Sequence, residues 1–154
     1  MGKKFELTDK FIINVFGIKL FQIKCTKSFK YAQKGDLGGY VEKEGNLDQE
    51  NDAWVSGNAQ VYGNAQVSGN ARVSGDANIK NNNEHCGFDG FGSCNRHTHA
   101  YLTKEKKVEI TCGCFRGSIE EFEKKVEETH SGTIYEKQYK AIINVIKIKF
   151  GLTD

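Results

Sequence analysis

Apolar and polar positions change rhythm three times along the chain. In KFIINVFGIKLFQIKC, residues 10–25, short apolar runs flank Gly17. They predict two β segments, around Phe11–Val15 and Lys19–Cys25, joined by a turn. From Gly39 to Lys80 the rhythm is six. Val55, Val61, Val67, Val73 and Ile79 stand six apart, as do Ala53, Ala59, Ala65, Ala71 and Ala77. Val41 and Leu47 hold the alanine position upstream, and Gly39 and Gly45 the glycine position, so about seven hexads fill this stretch. Beyond Asn83, THAYLTKEKKVEITCGCF predicts a hairpin with strands near Thr98–Thr103 and Val108–Phe115. GSIEEFEKKVEETHSG then reads as a helix: Ser118 and Glu121 form a capping box, Ile119, Phe122 and Val126 a buried stripe, and Gly132 its stop. IYEKQYKAIINVIKIKF predicts a second helix, with Tyr135, Tyr139, Ile142, Ile143, Ile146 and Phe150 on one side. Its end, VIKIKF, also alternates like a strand.

The hexad has a direct physical reading. In a strand, residues two apart share a face, so each alanine and its valine point inward together. The residue between them (Gln60, Gln66, Arg72 or Asn78) faces out. The next three residues, such as Ser56-Gly57-Asn58, are turn formers, because glycine takes positive φ freely and asparagine tolerates it. Three strands and three turns would close a triangle, with successive triangles stacked by parallel hydrogen bonding. The pattern therefore predicts a parallel β-helix of a little over two coils. A glycine every six residues excludes an α-helix here. Each buried valine contributes roughly 1.5–3 kcal/mol, so a stub this short needs caps, partners or both. The fold class expected is mainly β with an α+β cap. Residues 1–37 form an N-terminal β-hairpin cap, 38–82 the repeat, and 83–154 a C-terminal hairpin plus two helices.

The repeat VSGNAQ resembles the hexapeptide-repeat family, whose fold is a left-handed parallel β-helix. The wider chain resembles small, largely uncharacterised hexapeptide-repeat proteins carried by bacteriophages and prophages. FKYAQKGDLGGYVEKEGNL, the hexads and CGCFRGSIEEFEKKVEETH carry that likeness. The resemblance implies a homotrimer and a phage accessory protein. By analogy with other such genes, it implies an antagonist of host antiviral defence that binds a defence protein or sequesters a nucleotide signal. Enzymes of the hexapeptide-repeat family are acyl-CoA-dependent acyltransferases with a histidine general base in the seam between subunits. Here no histidine occurs from Met1 to Glu84, so the transferase stands as the alternative. A structural or assembly role is the third reading.

Charge is unevenly laid out. Residues 1–34 hold eight lysines against Glu6 and Asp9, a net +6, whereas residues 35–80 are net −4 and residues 81–154 balance. The leader is either a solvated strand pair or a surface for an acidic partner or nucleic acid. With no long apolar run, no signal peptide and an odd set of five cysteines, a cytoplasmic protein without a membrane span is expected.

Three sets of residues are candidates for function. Cys94, His97, Cys112 and Cys114 are soft or borderline ligands, and strand alternation would put both thiols of Cys112-x-Cys114 on one face. They suit a structural zinc, or else buried thiols acting as small hydrophobes; no other cofactor is expected. Ser93, Arg96, Tyr101, Phe115, Arg116, His130 and Tyr135 are the ligand- or partner-binding candidates, near the amides of a capped helix start. Gln60, Tyr62, Gln66 and Arg72 are candidates for a wall between subunits. No catalytic residue is assigned.

Overall fold

The structure is a computed structural model that describes residues 2–152. The outer ends of the expected segments, residue 1 and residues 153–154, lie outside the described residues. Strands β1 (Phe5–Ile13) and β2 (Lys19–Cys25) form an antiparallel hairpin. Gly17 takes φ 79° in its turn, where Asn14 Oδ1 accepts the N–H groups of Phe16 and Ile18. The first strand starts earlier than its apolar run, because Phe5 packs into the core while Val15 is left 92% exposed in the turn.

β2 pairs with β3 (Leu37–Val41), which hands the chain into the hexads. These contribute four strands of two residues each: β4 (Trp54–Val55), β5 (Gln60–Val61), β6 (Arg72–Val73) and β7 (Asn78–Ile79). Every alanine and every aliphatic residue of the repeat is at most 2% exposed. Gly57, Gly63, Gly69 and Gly75 all sit at φ 62–63°, so one turn geometry recurs at these four hexads, whereas Gly39 lies within β3 and Gly45 in a short 3-10 turn.

The overall architecture nevertheless corrects the expected one. Among the described residues the protein is mixed α/β, with three small sheets and two α-helices. Among the described residues there is no continuous parallel β-helix of two coils between caps. β5 and β7 extend the sheet of the leader hairpin, in the order β1-β2-β3-β5-β7, while β4 and β6 pair apart. Val67 makes only an isolated parallel bridge to Leu47. Parallel pairing is confined to two-residue ladders such as Tyr40–Val41 with Gln60–Val61 and Trp54–Val55 with Arg72–Val73. The physical reason is length. With so few hexads, each strand position recurs too seldom to build a sheet of its own. The hexads bond to one another through single backbone contacts, with the N–H groups of Trp54, Ser56, Asn58, Gln60 and Tyr62 donating to the carbonyls of Ala71, Val73, Gly75, Ala77 and Ile79, and the antiparallel leader strands continue one side through β3.

The tail is a four-stranded antiparallel sheet in the order β11-β10-β9-β8. It contains β8 (His85–Phe91), β9 (Arg96–Leu102), β10 (Val108–Cys112) and β11 (Phe115–Ser118). Helices α1 (Ile119–His130) and α2 (Ile134–Lys149) follow, and VIKIKF is helical rather than extended up to Lys149. Ser118 and Glu121 make the reciprocal cap, and Ile119, Phe122 and Val126 are buried. Alternation along the strands gives this sheet two working faces. Cys86, Phe88, Ala100, Ile110 and Cys112 pack with α1 and α2 in one core. Tyr101 joins the hexad core on the other face, where Thr111 Oγ1 donates to the carbonyl of Arg72 at 2.7 Å. The sheet is thus a partition between helices and hexads.

One lysine of the basic leader is part of this packing. Lys4 is 4% exposed, and its ammonium donates to the carbonyls of Glu50, Asn51 and Ala53. Burial holds its pKa below the ordinary lysine value.

Candidate functional site

Where β10 turns into β11, the chain opens a cleft of about 470 Å³ against α1 and α2. Its apolar wall is aromatic: Phe115 and Phe122 rings lie 5.2 Å apart, and Phe122 meets Tyr139 edge-on at 5.5 Å. Its rim is basic. Arg96, Arg116 and Lys125 line it, no carboxylate does, and His130 stacks on Tyr139 at 5.6 Å. Among the described residues, Arg96 and Lys125 have no carboxylate partner, while Arg116 reaches Glu109 at 3.8 Å. The Tyr139 hydroxyl lies 3.8 Å from the Cys112 sulfur. Burial, and then that thiol, raise the tyrosine's pKa, so it stays a neutral hydrogen-bonding group. Such a cleft can stack a planar ring and neutralise an anion beside it.

Local sequence explains how these groups converge. Gly113 takes φ 59° in the β10–β11 turn, and a Cβ there would come within 2.6 Å of the Arg96 guanidinium. The β8–β9 turn is tied to α2 by the Gly92 N–H, which donates to Gln138 Oε1 at 2.9 Å. Lys125 lies beside the buried Phe122 and Val126 on α1, so the helix presents a cation next to its apolar stripe.

Of the seven ligand-binding candidates, the structure brings Arg96, Phe115, Arg116 and His130 together in this cleft. Tyr135 stands behind it, with its ring 5.8 Å from that of His130. Ser93 is exposed in the β8–β9 turn and is not part of the lining. Tyr101 is fully buried, with its hydroxyl donated to Glu109, so it faces no ligand. Burial and that carboxylate raise its pKa. With Phe122, the residues Cys112, Cys114, Lys125, Val126, Thr129 and Tyr139 complete the lining. The only signals of Lys125, Thr129 and Tyr139 in the sequence were the apolar stripes of the two helices, Phe122 and Val126 beside Lys125 and Thr129 and the α2 side for Tyr139, and these pointed to core rather than cleft.

Of the zinc candidates, Cys94, His97 and Cys114 line one cleft between the β8–β9 and β10–β11 turns, and Cys112 lies apart from it. Cys112 is buried under the helices, 3.3 Å from Thr98 Oγ1, whereas Cys114 is exposed beyond the Gly113 turn. The two thiols therefore do not share a strand face, because the strand ends between them. Cys94 is exposed in another turn. Among the described residues, no group of three or more His, Cys, Asp or Glu is placed to hold a metal ion. All five cysteines are free. Of the wall candidates, Gln66 is exposed and Gln60 and Arg72 are half-buried. Tyr62 is 2% exposed within a single chain and donates to Asn78 Oδ1 at 2.8 Å, so it is no wall residue. Among the described residues, no helix is long and apolar enough to cross a membrane.

A second polar feature occupies the hexad side of the tail sheet. His85, Gly87 and Asp89 alternate on one face of β8, opposite His97 and His99 on β9. His97 Nδ1 lies 2.7 Å from Asp89 Oδ1, and its Nε2 lies 2.9 Å from His99 Nδ1. His99 Nε2 lies 2.9 Å from His85 Nδ1, whose Nε2 is 3.1 Å from Asn82 Oδ1. Gly87 makes the stack possible, since a Cβ there would sit 2.6 Å from both the His97 and His99 rings. Burial lowers the pKa of His85 to about 4, and that of His99 well below the ordinary value.

The chain matches no protein-family model and no curated protein.

Proposed function

We propose that this chain is a non-enzymatic binding protein whose tail cleft takes a phosphate-bearing aromatic ligand, a nucleotide being the best fit. The observation that supports this reading is the pairing of Arg96 and Lys125, cations without carboxylate partners, with the rings of Phe115, Phe122 and Tyr139. Rings supply stacking, guanidinium and ammonium groups supply phosphate contacts, and the cleft volume of about 470 Å³ suits a small ligand. The likeness of the hexads and flanking segments to phage-borne proteins supplies the biological setting. In that setting the protein acts in the host cytoplasm, as a homotrimer and without a cofactor, sequestering a nucleotide signal of antiviral defence.

Calorimetry with adenosine monophosphate, adenosine and inorganic phosphate tests the binding. The nucleotide should bind more tightly than either part alone. Arg96→Ala or Lys125→Ala should weaken it by about tenfold each, the value of one charge-assisted contact. A nucleotide affinity equal to that of inorganic phosphate, or unchanged by Phe115→Ala and Lys125→Ala, would overturn the reading. Mass spectrometry of small molecules released from protein purified out of infected cells would identify the natural ligand.

A further inference from the structure

The hydrogen-bonded run Asp89–His97–His99–His85–Asn82 has four gaps, and each is short enough to need one hydrogen. Both ends accept. Asn82 Oδ1 also receives the backbone N–H of Gln66 at 2.9 Å, which fixes the orientation of that amide. Asp89 is a largely exposed carboxylate. A neutral imidazole carries one N–H, so three neutral rings supply three hydrogens to four gaps. One gap would then bring two lone pairs face to face.

We infer that the three-histidine chain is a proton-binding site that holds one proton more than three neutral rings, and that this proton makes the adjoining cleft a pH-dependent site for a phosphate- or sulfate-type anion. With the extra proton every gap is filled in one direction. His97 donates Nδ1–H to Asp89 and Nε2–H to His99 Nδ1. His99 then donates Nε2–H to His85 Nδ1, and His85 donates Nε2–H to Asn82 Oδ1. Of the three rings, His97 alone contacts a carboxylate, and burial disfavours charge on the other two. Among the described residues, the charged groups facing His85 are Glu84, just ahead of β8, and Lys149 at the end of α2, while His97 faces Lys30, Asp52, Arg72 and Arg96 and the thiols of Cys94 and Cys114.

His97 also lines a second cleft, of about 550 Å³, together with Lys30, Tyr31, Asp52, Arg72 and Arg96. Both ring nitrogens of His97 are engaged, so it acts on this cleft through its field rather than by contact. Protonated, it cancels Asp89 and leaves the three cations opposed by Asp52 alone. Losing the proton uncovers the Asp89 charge and weakens the hold on an anion. This inference does not rest on the nucleotide reading: Arg96 lines both clefts, but Phe115 and Lys125 belong only to the first and Lys30, Arg72 and His97 only to the second.

Asp89→Asn is the discriminating variant. An asparagine Nδ2–H at that end can donate to His97 Nδ1, and three neutral rings then fill all four gaps. Long-range proton–nitrogen NMR on the full ¹⁵N-labelled chain at pH 6 should show one of these rings protonated at both nitrogens and two in the Nε2–H form. In Asp89→Asn all three should be neutral, with the fold retained. Sulfate, whose charge is constant over this range, should be titrated by following the amides of Lys30, Tyr31 and Asn95. Its affinity should fall by about threefold or more between pH 6 and pH 9 in the wild type, stay level in Asp89→Asn, and drop at both pH values in Lys30→Ala. Three neutral rings in the wild type at pH 6, a pH-independent sulfate affinity, or no response at those amides would each overturn the inference.

Discussion

The hexad segment and the tail bury side chains by opposite means. In the hexads the interior is alanine, valine and isoleucine repeated at fixed spacing, with polar turns outside. In the tail, one face of the sheet is packed against helices, while the other carries a tyrosine, a threonine and a row of histidines into the interior. Interchangeable small aliphatics specify only an inside and an outside. Buried polar groups must each find a partner, so they specify individual geometry. This is why the candidate chemistry lies at the edge of the tail sheet. The repeat instead provides a wall for it, through the Arg72 carbonyl, which accepts from Thr111, and the Gln66 N–H, which donates to Asn82.

Variants that act on only one of the two regions would sharpen or break this contrast. The largest effect is expected for Val67→Asp, which buries a charge at a fully enclosed position. It should cost roughly 4 kcal/mol or more and abolish cooperative unfolding, as read by circular dichroism and calorimetry. An unchanged melting temperature would show that the repeat interior is not the apolar core described.

Acid should act on the tail instead. His85 and His99 have folded pKa values below their unfolded ones, so between about pH 6.5 and pH 4 the unfolded chain binds more protons. Their contribution to stability is complete above the unfolded value and is lost as pH falls. For His85 alone it is on the order of 3 kcal/mol. Denaturant titrations should show stability declining over that window, and His85→Gln should flatten the decline. A wild type equally stable at both ends would remove the buried neutral histidines from the account.

Two turn glycines of the repeat separate strain from collision. Gly63 and Gly69 share φ 62°, but a Cβ at Gly63 would meet the Lys80 carbonyl at 2.5 Å, whereas none would be met at Gly69. Gly69→Ala should cost about 1 kcal/mol and Gly63→Ala at least 1 kcal/mol more, measured by chemical denaturation. Equal costs would mean that the two turns are not packed as described. A change as small as that of Gly69→Ala, about 1 kcal/mol by chemical denaturation, is expected for Ser118→Ala, which removes one half of the α1 cap.

Much of the molecule could be read from spacing alone. The six-residue period predicted the inward direction of each Ala and Val, and the left-handed turn at Gly57, Gly63, Gly69 and Gly75 though not at Gly39 or Gly45, because both are local consequences of strand alternation and backbone sterics. The α1 cap and its stripe were legible for the same reason, as was the turn at Gly17. The sheets to which those inward strands belong were not legible. Sheet membership is a choice among long-range partners of nearly equal local merit, and here the leader hairpin took β5 and β7. The strands β8 and β11 were missed, because His85–Phe91 contains two glycines and Phe115–Ser118 is only four residues long.

The site divides in the same way. Arg96, Phe115 and Arg116 could be seen as neighbours of a turn, whereas His97 could be seen only as a zinc candidate just outside the strand expected near Thr98–Thr103. That His85 would complete the histidine chain, and that Lys125 and Tyr139 would close the cleft, depended on the register of β8 against β9 and on how two helices lie over the sheet. By itself, the sequence determined which side chains are buried and where the backbone must turn, since those follow from each residue's own sterics and polarity. Tertiary structure alone decided which polar groups meet. Such meetings join residues tens of positions apart, whose separation along the chain carries no trace of the packing that unites them.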